Sequence, residues 1–114
     1  MAEYQNPTAR VAREVMNERN NQDARWGEQN HPDHHPAVCP EVPAWAVYDL
    51  PSELEVKETC EEDREAGSLS WSVILLEEVV EALSAGTVED RRAELIQVAA
   101  VAQAWIECID RRQA

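Results

Sequence analysis

The sequence predicts an all-α fold: a four-helix bundle with a long proline-rich loop after the first helix, completed by oligomerisation. All six prolines lie at or before position 51, so only Gly67 and Gly86 interrupt the second half of the chain. Apolar side chains recur there at helical spacing. A chain of 114 residues is near the usual size of one domain, so we expect a single domain over residues 1–114.

The first helix is predicted from Pro7 or Thr8 to about Arg25, with Gly27 ending it. Residues 28–51 contain five of the prolines and are therefore predicted as a long loop. Three apolar residues are candidates to hold part of this loop against the core: Trp45, Val47 and Tyr48.

The second helix is predicted to begin at Ser52, because Glu55 three residues later completes a capping box, and to end before Gly67. It carries seven acidic residues against two basic ones, and we interpret these acids as a solvated face. Its thin apolar face consists of Leu54, Val56, Cys60 and Ala66.

The third and fourth helices follow the two remaining breaks. The third is predicted from Ser68 or Ser70 to about Ser84. The fourth is predicted from Thr87 to about Arg112 and is apolar around most of its circumference. A single small chain has too few helices to cover so much apolar surface, so we expect a homodimer or homotetramer.

The composition excludes some classes of function. Acidic residues outnumber Lys and Arg by 23 to 10, which gives a formal net charge of −13, and Lys57 is the only lysine. Nucleic-acid binding, which needs a basic surface, is therefore not expected. No apolar run is long enough to span a membrane, and residues 1–10 lack a signal-peptide core. We therefore expect a cytoplasmic protein without a nucleic-acid or membrane partner.

Acidic side chains also occur where apolar ones are expected. Glu77, Glu78 and Glu81 share one edge of the otherwise apolar third helix, while Glu94 lies on the expected core stripe of the fourth, beside Gln97. Because burying an unpaired carboxylate is costly, a divalent cation is a natural partner, and oxygen ligands favour Mg²⁺ or Mn²⁺. Two alternatives stay open: a solvated helix edge, or an ion pair between Glu94 and an arginine of another helix or chain.

The two acidic segments together resemble a known family. The stretch EEVVE at positions 77–81, then twelve residues, then ELIQ at 94–97, is similar to the EExxE and ExxD motifs of the MazG-like, all-α nucleoside triphosphate pyrophosphohydrolases. The stretch QDARWGEQNHP at 22–32 is similar to the end of the first helix in phage and actinobacterial members. The resemblance implies two motif helices that face each other, in an enzyme that dimerises.

The resemblance also implies a reaction and a set of residues. It implies Mg²⁺-dependent cleavage of a nucleoside triphosphate to the monophosphate and pyrophosphate, with Mn²⁺ as an alternative ion. Glu78, Glu81 and Glu94 would be metal ligands, with Gln97 at the position of the family's last acid. Glu77 would be the catalytic residue, as a further ligand or by orienting the attacking water. An amide at Gln97 removes one negative charge from the expected set, which is expected to weaken metal binding.

A place for the nucleobase is expected at the end of the first helix. Gln22 and Trp26 are four residues apart and so share a helix face. By the same resemblance, Trp26 would stack on the base and Gln22 would read its edge. The alternative for Trp26 is a core or interface anchor.

Two other functions compete with the enzyme. The loss of the acid at Gln97 is compatible with a nucleotide-binding or structural relative that has weak or no turnover. The net charge is compatible with an acidic interaction protein, whose acids would be spread over one outer surface. Zinc is not expected, because the spacing of three histidines and a cysteine in the loop matches no standard site: His31, His34, His35 and Cys39.

Overall fold

The computed structural model describes residues 6–113. Its helices are α1 (Pro7–Trp26), α2 (Ala44–Val47), α3 (Glu53–Ala66), α4 (Trp71–Ser84) and α5 (Val88–Gln113). The only β-pairing within these residues is an isolated bridge between Cys39 and Val42, so the predicted all-α class is confirmed for them. None of the described helices is both long and apolar enough to cross a lipid bilayer.

The chain forms two compact units. One contains the residues up to Asp33 together with those from Gln103 onward, and the other contains His34–Ala102. Helix α1 lies in the first unit, helices α2 to α4 lie in the second, and α5 contributes residues to both. Within the second unit, α4 packs against α3 and α2. The expected single domain stays a prediction.

Local capping explains where the helices begin. The Ser52 hydroxyl accepts a hydrogen bond from the Glu55 N–H at 3.1 Å, as the capping box predicts. The Thr87 hydroxyl accepts one from the Asp90 N–H at 3.0 Å at the start of α5. Gly67 ends α3 in the left-handed region, with a φ of 74°, where a side chain would be strained. The four predicted helices therefore begin and end close to the predicted residues.

Helix α2 was not predicted, and it interrupts the predicted loop. It follows Pro43, buries Ala44 to 2% exposure and packs on α4. The Tyr48 hydroxyl accepts a hydrogen bond from the His35 N–H at 2.9 Å. A helix of four residues is too short to show a periodic pattern, so its formation depends on its contact with α4.

The buried core is small. In the second unit, Val56 and Cys60 of α3 and Val80 and Ala82 of α4 are buried, which agrees with part of the predicted apolar face of α3. Leu54 was predicted on that face and is instead 66% exposed. Leu54 is two residues before Val56 and therefore lies about 200° around α3 from it, on the side of the helix opposite the buried pair.

Helix α5 differs most from expectation. It buries none of its described residues, although the sequence predicted a core stripe along it. Leu95 and Ile96 are 53% and 52% exposed. Within the second unit no helix packs along α5 as α3 packs along α4, which is why these side chains stay in contact with solvent. The apolar residues of the predicted stripe are half-buried rather than buried: Val98, Val101, Trp105 and Cys108.

Candidate metal centre

Three glutamates come together in the second unit. Glu81 lies in the last turn of α4 and Glu94 in the second turn of α5, and a short connection joins the two helices. One carboxylate oxygen each from Glu78, Glu81 and Glu94 lie within 4.8 Å of one another, and all three residues are half-buried. We call these three residues the glutamate trio. The juxtaposition expected from the sequence is present, and the role of the trio as metal ligands stays a prediction.

Local structure brings the trio together. Glu78 and Glu81 are three residues apart on α4 and therefore share one face of the helix. The Arg91 guanidinium, one turn into α5, donates a hydrogen bond to the Ala85 carbonyl at 2.8 Å. This bond links α5 to the carbonyl of the residue that follows α4. It therefore orders the connection that places Glu94 beside Glu81.

The trio is electrostatically strained. Burial, followed by the charges of Glu78, Glu94 and Glu77, raises the pKa of Glu81 from 4.5 to about 7. Burial, followed by the charges of Glu94 and Glu77, also raises the pKa of Glu78. Among the described residues, every influence on these two carboxyls disfavours their charged form. An added cation at this place would favour the charged form.

The donor set suits a hard divalent cation. It consists of carboxylate oxygens only, which are the ligands that Mg²⁺ and Mn²⁺ accept in proteins. Three protein ligands suffice for Mg²⁺, which usually keeps several waters in its coordination shell. The side chains of the trio therefore fit the implied metal, although oxygen ligands alone do not distinguish Mg²⁺ from Mn²⁺.

Glu77 lies beside the trio but also faces α3. Its interaction with the buried Cys60 thiol, followed by burial, raises the pKa of that thiol. Sequence reasoning did not connect Cys60 with Glu77. The only available signal was the position of Cys60 on the apolar face of α3, opposite an acid. The predicted catalytic role of Glu77 stays a prediction.

Gln97 lies one turn after Glu94 on α5 and is exposed. Three residues separate the two, so they occupy neighbouring positions on the helix surface. The structure brings Glu94 into the trio, while the predicted contribution of Gln97 to a metal site stays a prediction.

An open cleft of about 580 Å³ borders the trio. Its walls come from the start of α3, the end of α4, the connection between α4 and α5, and the first turns of α5. Its lining residues are Glu53, Leu54, Lys57, Glu81, Ser84, Ala85, Gly86, Asp90, Ala93 and Glu94. Two members of the trio and the only lysine of the chain therefore border the same space.

The residues predicted to bind a base lie in the first unit. The Arg19 guanidinium donates hydrogen bonds to the Gln22 side-chain oxygen at 2.7 Å and to Asp23 at 2.9 Å. Trp26 is 61% exposed, and the Arg25 guanidinium lies 4.8 Å from the centre of its ring. Gln22 and Trp26 line two different cavities, so a role for both in holding one base stays a prediction.

The histidines and Cys39 of the loop are not grouped closely enough to share an ion in the described residues. Among the described residues, the glutamate trio is the only group of three or more potential ligands close enough to share an ion. His31 contacts the side chain of Gln29 at 3.1 Å, and the ring of His34 lies near that of Tyr48. The cysteines are free thiols, as expected.

Comparison of the chain with family models, with curated proteins and with solved structures found no match. The likeness of the two acidic segments to the MazG-like motifs therefore stays a resemblance.

Proposed function

We propose that this protein is a Mg²⁺-dependent nucleoside triphosphate pyrophosphohydrolase, which converts a (d)NTP and water to the monophosphate and pyrophosphate. The observation that carries the proposal is the glutamate trio: three half-buried carboxylates from two helices whose oxygens lie within 4.8 Å of one another. The order of the acids along α4 and α5 adds the resemblance to the MazG-like motifs.

The energetics of the trio favour a bound cation over an incidental grouping. Like charges brought together under partial burial destabilise one another, and the rise in the pKa of Glu81 to about 7 reflects that cost. A structural role alone would be served equally well by uncharged side chains. Carboxylates at such a place are typical of functional sites, where a ligand compensates the strain.

Each residue has a proposed role. Glu78, Glu81 and Glu94 hold the ion, and Gln97 offers an amide oxygen at the edge of the same site. When bound, Mg²⁺ supplies positive charge for the triphosphate and makes a nearby water more acidic. Glu77 orients the attacking water, and its carboxylate lies near the buried Cys60 thiol.

The trio also bears on the two competing functions. An acidic interaction protein needs acids on an outer surface, whereas these three converge and are half-buried. A binding protein without turnover keeps the same trio, and the exposed Gln97 in place of an acid favours it as the second candidate. The two candidates differ in one result, which is pyrophosphate release.

The test is a screen of nucleoside triphosphates with Mg²⁺ or Mn²⁺ that measures pyrophosphate. We expect release by the wild type and its loss in Glu81→Gln, because the amide keeps the shape of the side chain but not its charge. Glu58→Gln is the matched control, since it removes an exposed acid of α3 outside the trio. Release that continues unchanged in Glu81→Gln would exclude the mechanism, and metal binding without release would favour the second candidate.

We also propose that the helices form a MazG-like bundle completed by a second copy of the chain, as a homodimer or a homotetramer. The support is the state of α5, which buries none of its described residues and exposes more than half of Leu95 and of Ile96. Apolar side chains left uncovered along one helix are typical of an interface.

A further inference from the structure

We propose that Lys57 is the residue that binds the polyphosphate chain of the substrate, and that the cleft beside the glutamate trio accepts a polyphosphate only as its complex with a divalent cation. This inference rests on the proposed function and names the ligand of the same site. It concerns a residue outside both acidic motifs.

Position is the first support. Glu53, Leu54 and Lys57 recur at spacings of one, three and four residues, so they form one edge of α3. This edge borders the cleft whose other walls carry Glu81 and Glu94. Because α3 packs on α4, the only lysine of the chain is held next to the proposed metal site.

The state of the ammonium group is the second support. Acids are abundant on α3, including Glu53 and Glu61 at helical spacing from Lys57. Even so, Lys57 forms no ion pair or hydrogen bond with any of the described residues. The ammonium therefore serves neither the helix nor the trio, and it is available to a ligand.

The charge of the cleft determines the form of that ligand. Four acids and one lysine line it: Glu53, Glu81, Asp90, Glu94 and Lys57. A free polyphosphate is repelled by this surface, because the acids outnumber the single cation. A divalent ion on the trio offsets two of these negative charges and offers its own positive charge to phosphate oxygens. The Lys57 ammonium supplies a second point charge for them. The volume of about 580 Å³ is typical of small-ligand sites.

Calorimetric titration with inorganic tripolyphosphate tests the inference without turnover. We expect the wild type to bind tripolyphosphate with Mg²⁺ present and not with a chelator present. Lys57→Met should weaken this binding by about tenfold or more, because a charge-assisted contact is lost. Lys57→Arg should restore most of it, and the affinity for Mg²⁺ alone should stay the same in both variants.

Arg92→Gln is the matched control. It also removes one positive charge, but Arg92 is exposed and lies about 200° around α5 from Glu94, outside the cleft. Tripolyphosphate affinity unchanged in Lys57→Met, or reduced equally in Arg92→Gln, would overturn the role of Lys57 while leaving the proposed function intact. Tight binding in the presence of chelator would overturn the requirement for the complex. If the wild type binds neither Mg²⁺ nor tripolyphosphate, the proposed function itself is wrong, and this inference with it.

Discussion

Helices α3 and α5 divide their polar and apolar side chains in opposite ways. On α3, Val56 and Cys60 are buried at 2% and 4% exposure, and most of the acids face solvent. On α5, no residue is buried, Leu95 is 53% exposed, and the acid Glu94 is half-buried. Both helices are rich in charge that is mostly exposed to water, and Glu94 of α5 is an exception because it is half-buried beside two other acids.

A large number of acids on a helix does not by itself create a metal site. Helix α3 has seven acidic residues, and none of them belongs to a group of potential metal ligands among the described residues. Helix α5 contributes one acid, and that acid meets two others at partial burial. The side chains of α3 are satisfied within the chain and by water. For those of α5 we propose two partners from outside the chain: a cation for Glu94 and a second copy for the apolar residues.

The largest expected effect is on Mg²⁺ affinity, when one acid of α5 and one acid of α3 are replaced by glutamine in separate variants. Glu94→Gln should reduce Mg²⁺ affinity by more than the about 10- to 100-fold that loss of an outer-shell partner costs, because a ligand charge is removed. Glu62→Gln, an exposed acid of α3, should leave Mg²⁺ affinity unchanged. Calorimetric titration with Mg²⁺ measures both. Equal affinities in the two variants would mean that the two helices do not differ in this way.

The exposed apolar side chains of α5 predict that the chain assembles into an oligomer. Light scattering of the wild type at micromolar concentration should give twice or four times the chain mass of 12.9 kDa. Changing Leu95 and Ile96 together to Gln should shift the mass toward one chain, because the interface loses its apolar contacts. Met16→Gln, at a residue of α1 that is 49% exposed, is the control and should leave the mass unchanged. A wild-type mass of one chain would rule out the assembly.

A third prediction concerns pH. Between the ordinary pKa of 4.5 and the raised value of about 7, the folded protein keeps a proton on Glu81 that the unfolded chain has lost. This group therefore favours the folded state at low pH, and its contribution is lost as the pH rises through 7. The Glu81→Gln variant cannot lose that proton, so its stability should rise relative to the wild type between about pH 5 and about pH 8.

Chemical denaturation of both proteins without metal measures this difference in the free energy of unfolding. Saturating Mg²⁺ should stabilise the wild type at the higher pH and not the variant, because the ion binds the charged carboxylate. A difference that does not depend on pH would mean that Glu81 ionises like a carboxylate in water.

The smallest effect is expected from Gln97→Asp. Restoring the acid should tighten Mg²⁺ binding only modestly, because the residue is exposed and water screens the added charge. The comparison is with Gln103→Asp, which adds the same charge elsewhere on α5. If titration shows no gain for Gln97→Asp over this control, Gln97 does not contribute to the metal site.

Much of the helical framework was predictable because its signals are local. A serine or threonine that caps the next turn and a glycine that accepts a positive φ act within a few residues. Ser52, Gly67 and Thr87 each end or begin a helix as the sequence predicts. The position of the trio followed from the same reasoning, because helix faces depend only on spacing once the helices are known.

Helix α2 and the covering of individual side chains on α5 were not predictable in this way. Four residues after Pro43 have no period of their own, and their helix depends on burying Ala44 against α4. A stripe of apolar residues on α5 looks the same in the sequence whether a neighbour in the chain covers it or not. Spacing defines a face of a helix, but it does not define what lies opposite.

The sequence by itself therefore determined the all-α class, the bounds of the long helices and the placement of Glu78, Glu81 and Glu94 on faces that converge. The tertiary structure was needed to show that α3, which has more acids than any other described helix, borders the cleft through Lys57 and places Cys60 beside Glu77. The reason is physical: capping and periodicity act within a turn or two of the chain. The cleft and its charge arise from three helices whose relative placement depends on packing between residues far apart in sequence.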